Sequence, residues 1–101
     1  MNAVKVTWTK QALRDLASIH AYIAQDSPYY AAGVVETLLD AEKQIAAHPT
    51  AGGLVREKIS HDLRQVKRYS YRIIYRILPG GREIHVLTVC HEKRNMQTDD
   101  F

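Results

Sequence analysis

A chain of 101 residues and 11.5 kDa can bury one modest core, so a single domain over 1–101 is expected. With 46% apolar and 25% charged residues, the composition excludes disordered, collagenous and disulfide-rich classes. The net charge of +3 is uneven: residues 56–82 hold eight basic and two acidic side chains, a local +6. Such a segment suits an anionic partner, either nucleic acid or an acidic stretch of protein.

Val4, Val6 and Trp8 alternate with Lys5 and Thr7, the pattern of a short half-buried strand. Thr9 is placed to cap a helix over about 9–25, in which Ala12, Leu16, Ile19 and Ile23 recur at steps of four, three and four. Asp15, early in that helix, suits the positive end of its dipole. His20 is expected beside the apolar stripe, partly buried. Ser27-Pro28 then reads as an N-cap followed by proline at the first helical position. Val35, Leu38, Leu39, Ile45 and Ala46 give this second helix its apolar stripe as far as Ala47, and His48-Pro49 ends it. So short a connection makes the two helices an antiparallel hairpin.

The apolar period then changes. Leu63 to Tyr69 reads as a basic strand, Tyr71 to Leu78 as an aromatic and β-branched one, Pro79-Gly80-Gly81 as a turn, and Ile84 to Cys90 as a last strand. The fold expected is α+β in the order β-α-α-β-β-β. A helical hairpin packs on one face of a small antiparallel sheet, whose other face is partly open, and 91–101 form a loose tail. The core should include Trp8, Leu16, Ile19, Ile23, Leu38, Ile45, Ile73 and Tyr75. Both possible faces of 84–91 are apolar, so the period alone leaves its inward side open.

Alternation sends Tyr71, Ile73, Tyr75 and Ile77 toward the helices and Arg72, Ile74, Arg76 and Leu78 away from them. Arg64, Val66 and Arg68 share one side of the preceding strand. If those arginines lie with Arg72 and Arg76, the open face is arginine-rich. Guanidinium forks would hold phosphates or the carboxylates of an acidic protein segment. His91, just past the last strand with Arg94 close behind, is the remaining acid–base candidate. The five histidines lack metal-ligand spacing, and Cys90 has no partner for a disulfide or a thiolate site. It is read as a small core residue. No phosphate-binding glycine loop or nucleophile elbow is present in the sequence, so neither cofactor nor metal is expected. No run reaches the ~18 apolar residues of a membrane span and no signal peptide precedes the first strand, so a cytoplasmic protein without membrane contact is expected.

Taken in order, Trp8-Thr9, Ala12, Asp15-Leu16, Ile19, Tyr22-Ile23, Pro28, Ala31, Ile45, His48-Pro49, Gly52, Arg64, the run Tyr71 to Arg76, Val89, His91 and Arg94 resemble the RelE/ParE superfamily of bacterial type II toxins. The resemblance covers about residues 4–94. It implies a growth-inhibiting toxin of a plasmid-stabilisation type of system, neutralised by a cognate antitoxin whose C-terminal segment wraps it. A homodimer and a toxin–antitoxin hetero-oligomer both stay open. The RelE-like branch cleaves mRNA on the ribosome; the ParE-like branch inhibits DNA gyrase. RelE-type members typically keep a tyrosine shortly after the last strand, whereas 92–101 here read EKRNMQTDDF. The long hairpin also favours the ParE-like branch. The reading adopted is therefore a gyrase poison with no favoured catalytic residue, in which Arg64, Arg68, Arg72, Arg76, His91 and Arg94 serve partner binding. The alternative is a ribosome-dependent endoribonuclease using His91, Arg64, Arg72 and Arg94. A second alternative is an inactive nucleic-acid-binding or structural relic of the family.

Overall fold

The computed structural model describes residues 4–97 and 101. Strand β1 (Lys5–Trp8) leads into helix α1 (Lys10–Ala24), helix α2 (Pro28–Ala47), a 3₁₀ turn (Pro49–Ala51) and a two-residue strand β2 (Gly53–Leu54). Strands β3 (Leu63–Arg68), β4 (Tyr71–Ile77) and β5 (Glu83–His91) follow. Tail positions 98–100 of the expected loose segment lie outside the described residues.

Both expected caps form. The Thr9 hydroxyl accepts from the Ala12 amide at 3.2 Å and donates to the Val86 carbonyl at 2.8 Å, so one side chain starts α1 and ties it to β5. Ser27 accepts from the Tyr30 amide at 3.1 Å, with Pro28 at the first position of α2. Asp15 lies beyond the first turn and has a different task from dipole compensation. Its carboxylate accepts from the Thr88 hydroxyl at 2.5 Å and the Val89 amide at 3.0 Å. Asp15→Ala would leave the buried Val89 amide unsatisfied, and a loss of about 1–3 kcal/mol in chemical denaturation is expected. A loss below about 0.5 kcal/mol would mean that water replaces the carboxylate. His20 is exposed, contrary to the expected partial burial.

The sheet has the order β1-β5-β4-β3-β2. The β3-β4-β5 meander is antiparallel as expected, while β1 pairs with β5 in parallel and makes the sheet mixed. The helical hairpin carries the chain from β1 to β2 at the opposite edge of the sheet, and the meander then returns β5 to lie beside β1. A register shift at Ile74/Tyr75, where Tyr75 faces Val86 and Ile74 faces Thr88, leaves Leu87 as the extra residue of a bulge in β5. The bulge settles the side left open by the sequence. Ile84, Val86 and Val89 join the helix-side core, while Leu87 and Cys90 serve the other face.

On the helix side, Leu16, Ile19, Leu38, Ile45, Ile73 and Tyr75 are buried as expected, and Trp8 and Ile23 pack against them partly exposed. Trp8 Nε1 also donates to Glu42 on α2 at 2.6 Å. The second face is not open. Val55, Leu63, Ile74 and Cys90 form a smaller core there, against which Leu87, Met96 and Phe101 pack.

Candidate functional site

Cross-strand register decides where the arginines go, because directly opposed residues share a face. Arg64 opposes Tyr75 and Arg68 opposes Tyr71, so both stand on the helix side. Lys67 opposes Arg72 and Leu63 opposes Arg76, so the β4 arginines stand on the other side. The expected single arginine-rich face therefore does not exist: the two strands turn their arginines in opposite directions.

On the helix side, Arg64 donates to the carbonyls of His61 and Gly52, both at 3.3 Å. Arg68 donates to the Lys67 carbonyl at 2.7 Å and to the Gln44 side chain on α2. On the far side Arg76 pairs with Asp62 at 2.7 Å, and Ser60 and Arg76 together hold that carboxyl below its usual range.

Arg72 differs from these. Its side chain is wholly buried, and its fork meets Glu57 at 3.0 and 2.5 Å, Gln65 at 3.0 Å and the Arg94 carbonyl at 2.8 Å. Glu57 also accepts from the Met96 amide at 2.9 Å. The Arg72 hydrogen bonds, assisted by the Met96 amide, pull the Glu57 carboxyl down to about 2 against the opposing effect of burial. Arg56 adds bonds to the Glu92 and Arg94 carbonyls at 3.2 and 3.0 Å. Residues 92–96 are thus strapped across the second face, which corrects the expected loose tail for the part that is described. Burial pushes the neighbouring Cys90 thiol up, away from the reactive thiolate.

His91 ends β5 opposite Tyr71, the two rings edge to face with centroids 6.1 Å apart. Its Nδ1 accepts from the Lys93 amide at 3.2 Å, so the neutral ring carries its proton on Nε2. The Arg94 guanidinium is exposed beside a cavity of about 410 Å³ shared with Thr9, Gln11 and Asp15. Arg64 and His91 lie at opposite ends of β4, paired with Tyr75 and Tyr71. Four residues along the strand, about 13 Å, and the width of β4 between β3 and β5 separate them. His91, Arg64, Arg72 and Arg94 do not converge on one reacting atom.

A further cluster went unread in the sequence, where aromatic residues at helical and strand spacing pass for core. Tyr22, Tyr30 and Tyr69 are 72%, 54% and 55% exposed. Together with Ile23, Val34, Tyr71 and His91 they line a cavity of about 420 Å³ between the helical hairpin and the ends of β3, β4 and β5. Among the described residues no group of three or more His, Cys, Asp or Glu side chains could hold a metal ion. Nor is any described helix long and apolar enough to cross a membrane.

Residues 6–96 match the family model described as the ParE toxin of the type II toxin–antitoxin system, parDE. The curated protein named "Putative toxin Y4kP" of Sinorhizobium fredii (strain NBRC 101917 / NGR234) is 37% identical over 91 residues, covering 90% of this chain and 91% of that one. Among solved structures, the chromosomal ParDE TA system from P. aeruginosa aligns with a TM-score of 0.69 at 22% identity, over 88% of this chain and 96% of that one, a likeness of fold. The RelBE2 toxin–antitoxin complex from Mycobacterium tuberculosis aligns with a TM-score of 0.60 at 27% identity, over 88% of this chain and 98% of that one.

Proposed function

Because this chain belongs to the ParE toxin family of type II toxin–antitoxin systems, we propose that it poisons DNA gyrase and is neutralised by a cognate antitoxin. The observation that carries the choice of target is the scatter of the groups a ribonuclease would need. General acid–base cleavage of RNA requires one group on the attacking 2′-hydroxyl, another on the leaving 5′-oxygen, and a cation on the phosphate between them. His91 could serve as one such group. Arg72, the cation on the strand beside it, is committed to Glu57 and the tail. Arg64 stands at the far end of β4. A toxin that works by binding needs no such convergence.

The same family membership supports the antitoxin, and the solved relatives include toxin–antitoxin complexes. The ribonuclease reading keeps one point in its favour, the His91 Nε2–H donor on an exposed residue. Two assays on purified toxin separate the readings: DNA supercoiling by gyrase, and mRNA integrity on translating ribosomes. Inhibited supercoiling with intact mRNA is the expected result. Normal supercoiling at excess toxin, with mRNA cut on the ribosome and cutting lost in His91→Ala, would replace the gyrase reading by the ribonuclease one. Inactivity in both assays would favour the inert relic.

A further inference from the structure

A bare backbone edge is a place for another strand to pair unless the fold blunts it, and this sheet treats its edges unequally. On the β2 side the last strand is only two residues long, and the part of β3 beyond it carries Lys67 and Arg68. Past Val86, where β1 stops covering β5, two side chains of the α1 segment take over the backbone groups of β5. The Leu87 carbonyl accepts from the Thr9 hydroxyl at 3.0 Å, and the Val89 amide donates to Asp15 at 3.0 Å.

The outer edge of β1 has none of these devices. Lys5 and Thr9 send their amides to the Arg82 and Val86 carbonyls of β5. In the alternating ladder it is therefore Val6 and Trp8 whose amides and carbonyls point away from the sheet. No proline, glycine or bulge interrupts the stretch from Val4 to Trp8. Its one charge, Lys5, stands opposite Glu83, which offsets it. Val4, Val6 and Trp8 pack on the helix-side core, yet all three stay partly exposed, as side chains do beside an uncovered edge.

We infer that this edge joins a second copy of the chain, β1 against β1 and antiparallel, about a two-fold axis at Val6. In that register the two Val6 residues exchange amide-to-carbonyl bonds, and Val4 and Trp8 pair across in the same way. The helix side then sets Val6 on Val6 and Val4 on Trp8, apolar against apolar throughout. The other side sets Lys5 against Thr7, so no like charges meet. This match of the segment with its own reverse is what selects a second copy over a strand of other sequence. The pairing is isologous, so it closes at two copies instead of growing into a fibre. Strand edges of this length bury well under the ~800 Å² per partner of a stable interface, so the dimer depends on concentration. It leaves the tyrosine-lined cavity free, since none of the lining residues lies in β1.

Sedimentation equilibrium of the purified chain over about 1 µM to 1 mM, the span of weak affinities, should show the molar mass rising from 11.5 kDa toward twice that value. Trp8, the one tryptophan of the sequence, should shift its emission to shorter wavelength over the same range. Val6→Pro removes an amide that points away from the sheet, so circular dichroism should show the fold intact while the dissociation constant of the dimer rises about tenfold or more. Val6→Cys gives a second reading that does not depend on proline. Opposed α-carbons in such a pair lie about 5.5 Å apart, within disulfide reach, so mild oxidation should trap a covalent dimer. Lys5→Cys, offset from its own copy, should trap far less, and the buried Cys90 adds no background. A mass that stays at 11.5 kDa, with no more crosslinking in Val6→Cys than in Lys5→Cys, would overturn the inference. So would a dimer untouched by Val6→Pro, because the contact would then lie elsewhere. A monomeric chain whose Val6→Pro variant loses antitoxin affinity would also overturn it, by giving the edge to a strand of the antitoxin. None of these readings depends on the target of the toxin.

Discussion

Glu57→Ala is expected to destabilise the fold by about 3–5 kcal/mol, the range for removing one partner of a buried ion pair. The reason lies in what is left behind. Arg72 is fully buried under the strapped tail, and without Glu57 its fork would keep Gln65 and the Arg94 carbonyl but no carboxylate. The Met96 amide would lose its acceptor as well. Because Glu57 titrates at about 2 in the fold rather than at its ordinary 4.5, its carboxylate, held by Arg72 and the Met96 amide together, contributes roughly 3 kcal/mol at neutral pH.

The sign follows from the lowered carboxyl: this stability is fully present above about 4.5 and is lost as pH falls toward 2. Asp62, also lowered, loses stability in the same direction. Thermal melts of wild type should therefore fall more steeply below pH 4.5 than those of Glu57→Gln, which lacks the titrating group. Parallel curves would show that the carboxylate is not what holds Arg72. Adding Arg72→Met to Glu57→Ala should recover part of the loss, since the stranded charge is then gone.

The elements written in local chemistry could be read directly. Thr9 and Ser27-Pro28 announce the helix starts, the steps from Ala12 to Ile23 fix one face of α1, and the alternation of Tyr71 to Ile77 assigns the helix side of β4 correctly. Alternation says which residues share a face, and nothing about what covers it. Arg72 in a strand reads as a solvated arginine, yet its partner stands fifteen positions earlier on a loop whose own pattern has no period. The direction of β1 is hidden for a similar reason, since it pairs with a strand whose Glu83 lies opposite Lys5. The bulge at Leu87 carries no sequence mark and reverses the facing of everything after it, so Val86 and Val89 point the same way. For the site, the arginines were legible as residues but their sides were not, because those depend on the register between two strands. The exposed tyrosines were illegible because an aromatic at core-type spacing gives no sign that its ring stands in water.

Two neighbouring isoleucines test the corrected second face most sharply. Ile73 and Ile74 are both fully buried, the first against the helices and the second against Val55, Leu63 and Cys90. Truncating Ile73 to alanine should cost about 2–5 kcal/mol, the range for a large aliphatic in a packed core. On an open sheet face Ile74→Ala would be a surface change worth no more than about 0.5 kcal/mol. With the tail and the Val55 segment packed over it, Ile74→Ala should instead fall in the same 2–5 kcal/mol range. The two side chains point to opposite sides of β4 and belong to separate clusters, so their costs should come close to adding. Their sum then approaches the whole stability of an ordinary domain, about 5–15 kcal/mol, and the double variant should be largely unfolded at 25 °C. Urea denaturation followed by circular dichroism reads all three. An Ile74→Ala loss below about 1 kcal/mol would return the second face to solvent, and with it the Glu57 strap that shuts Arg72 away from any substrate.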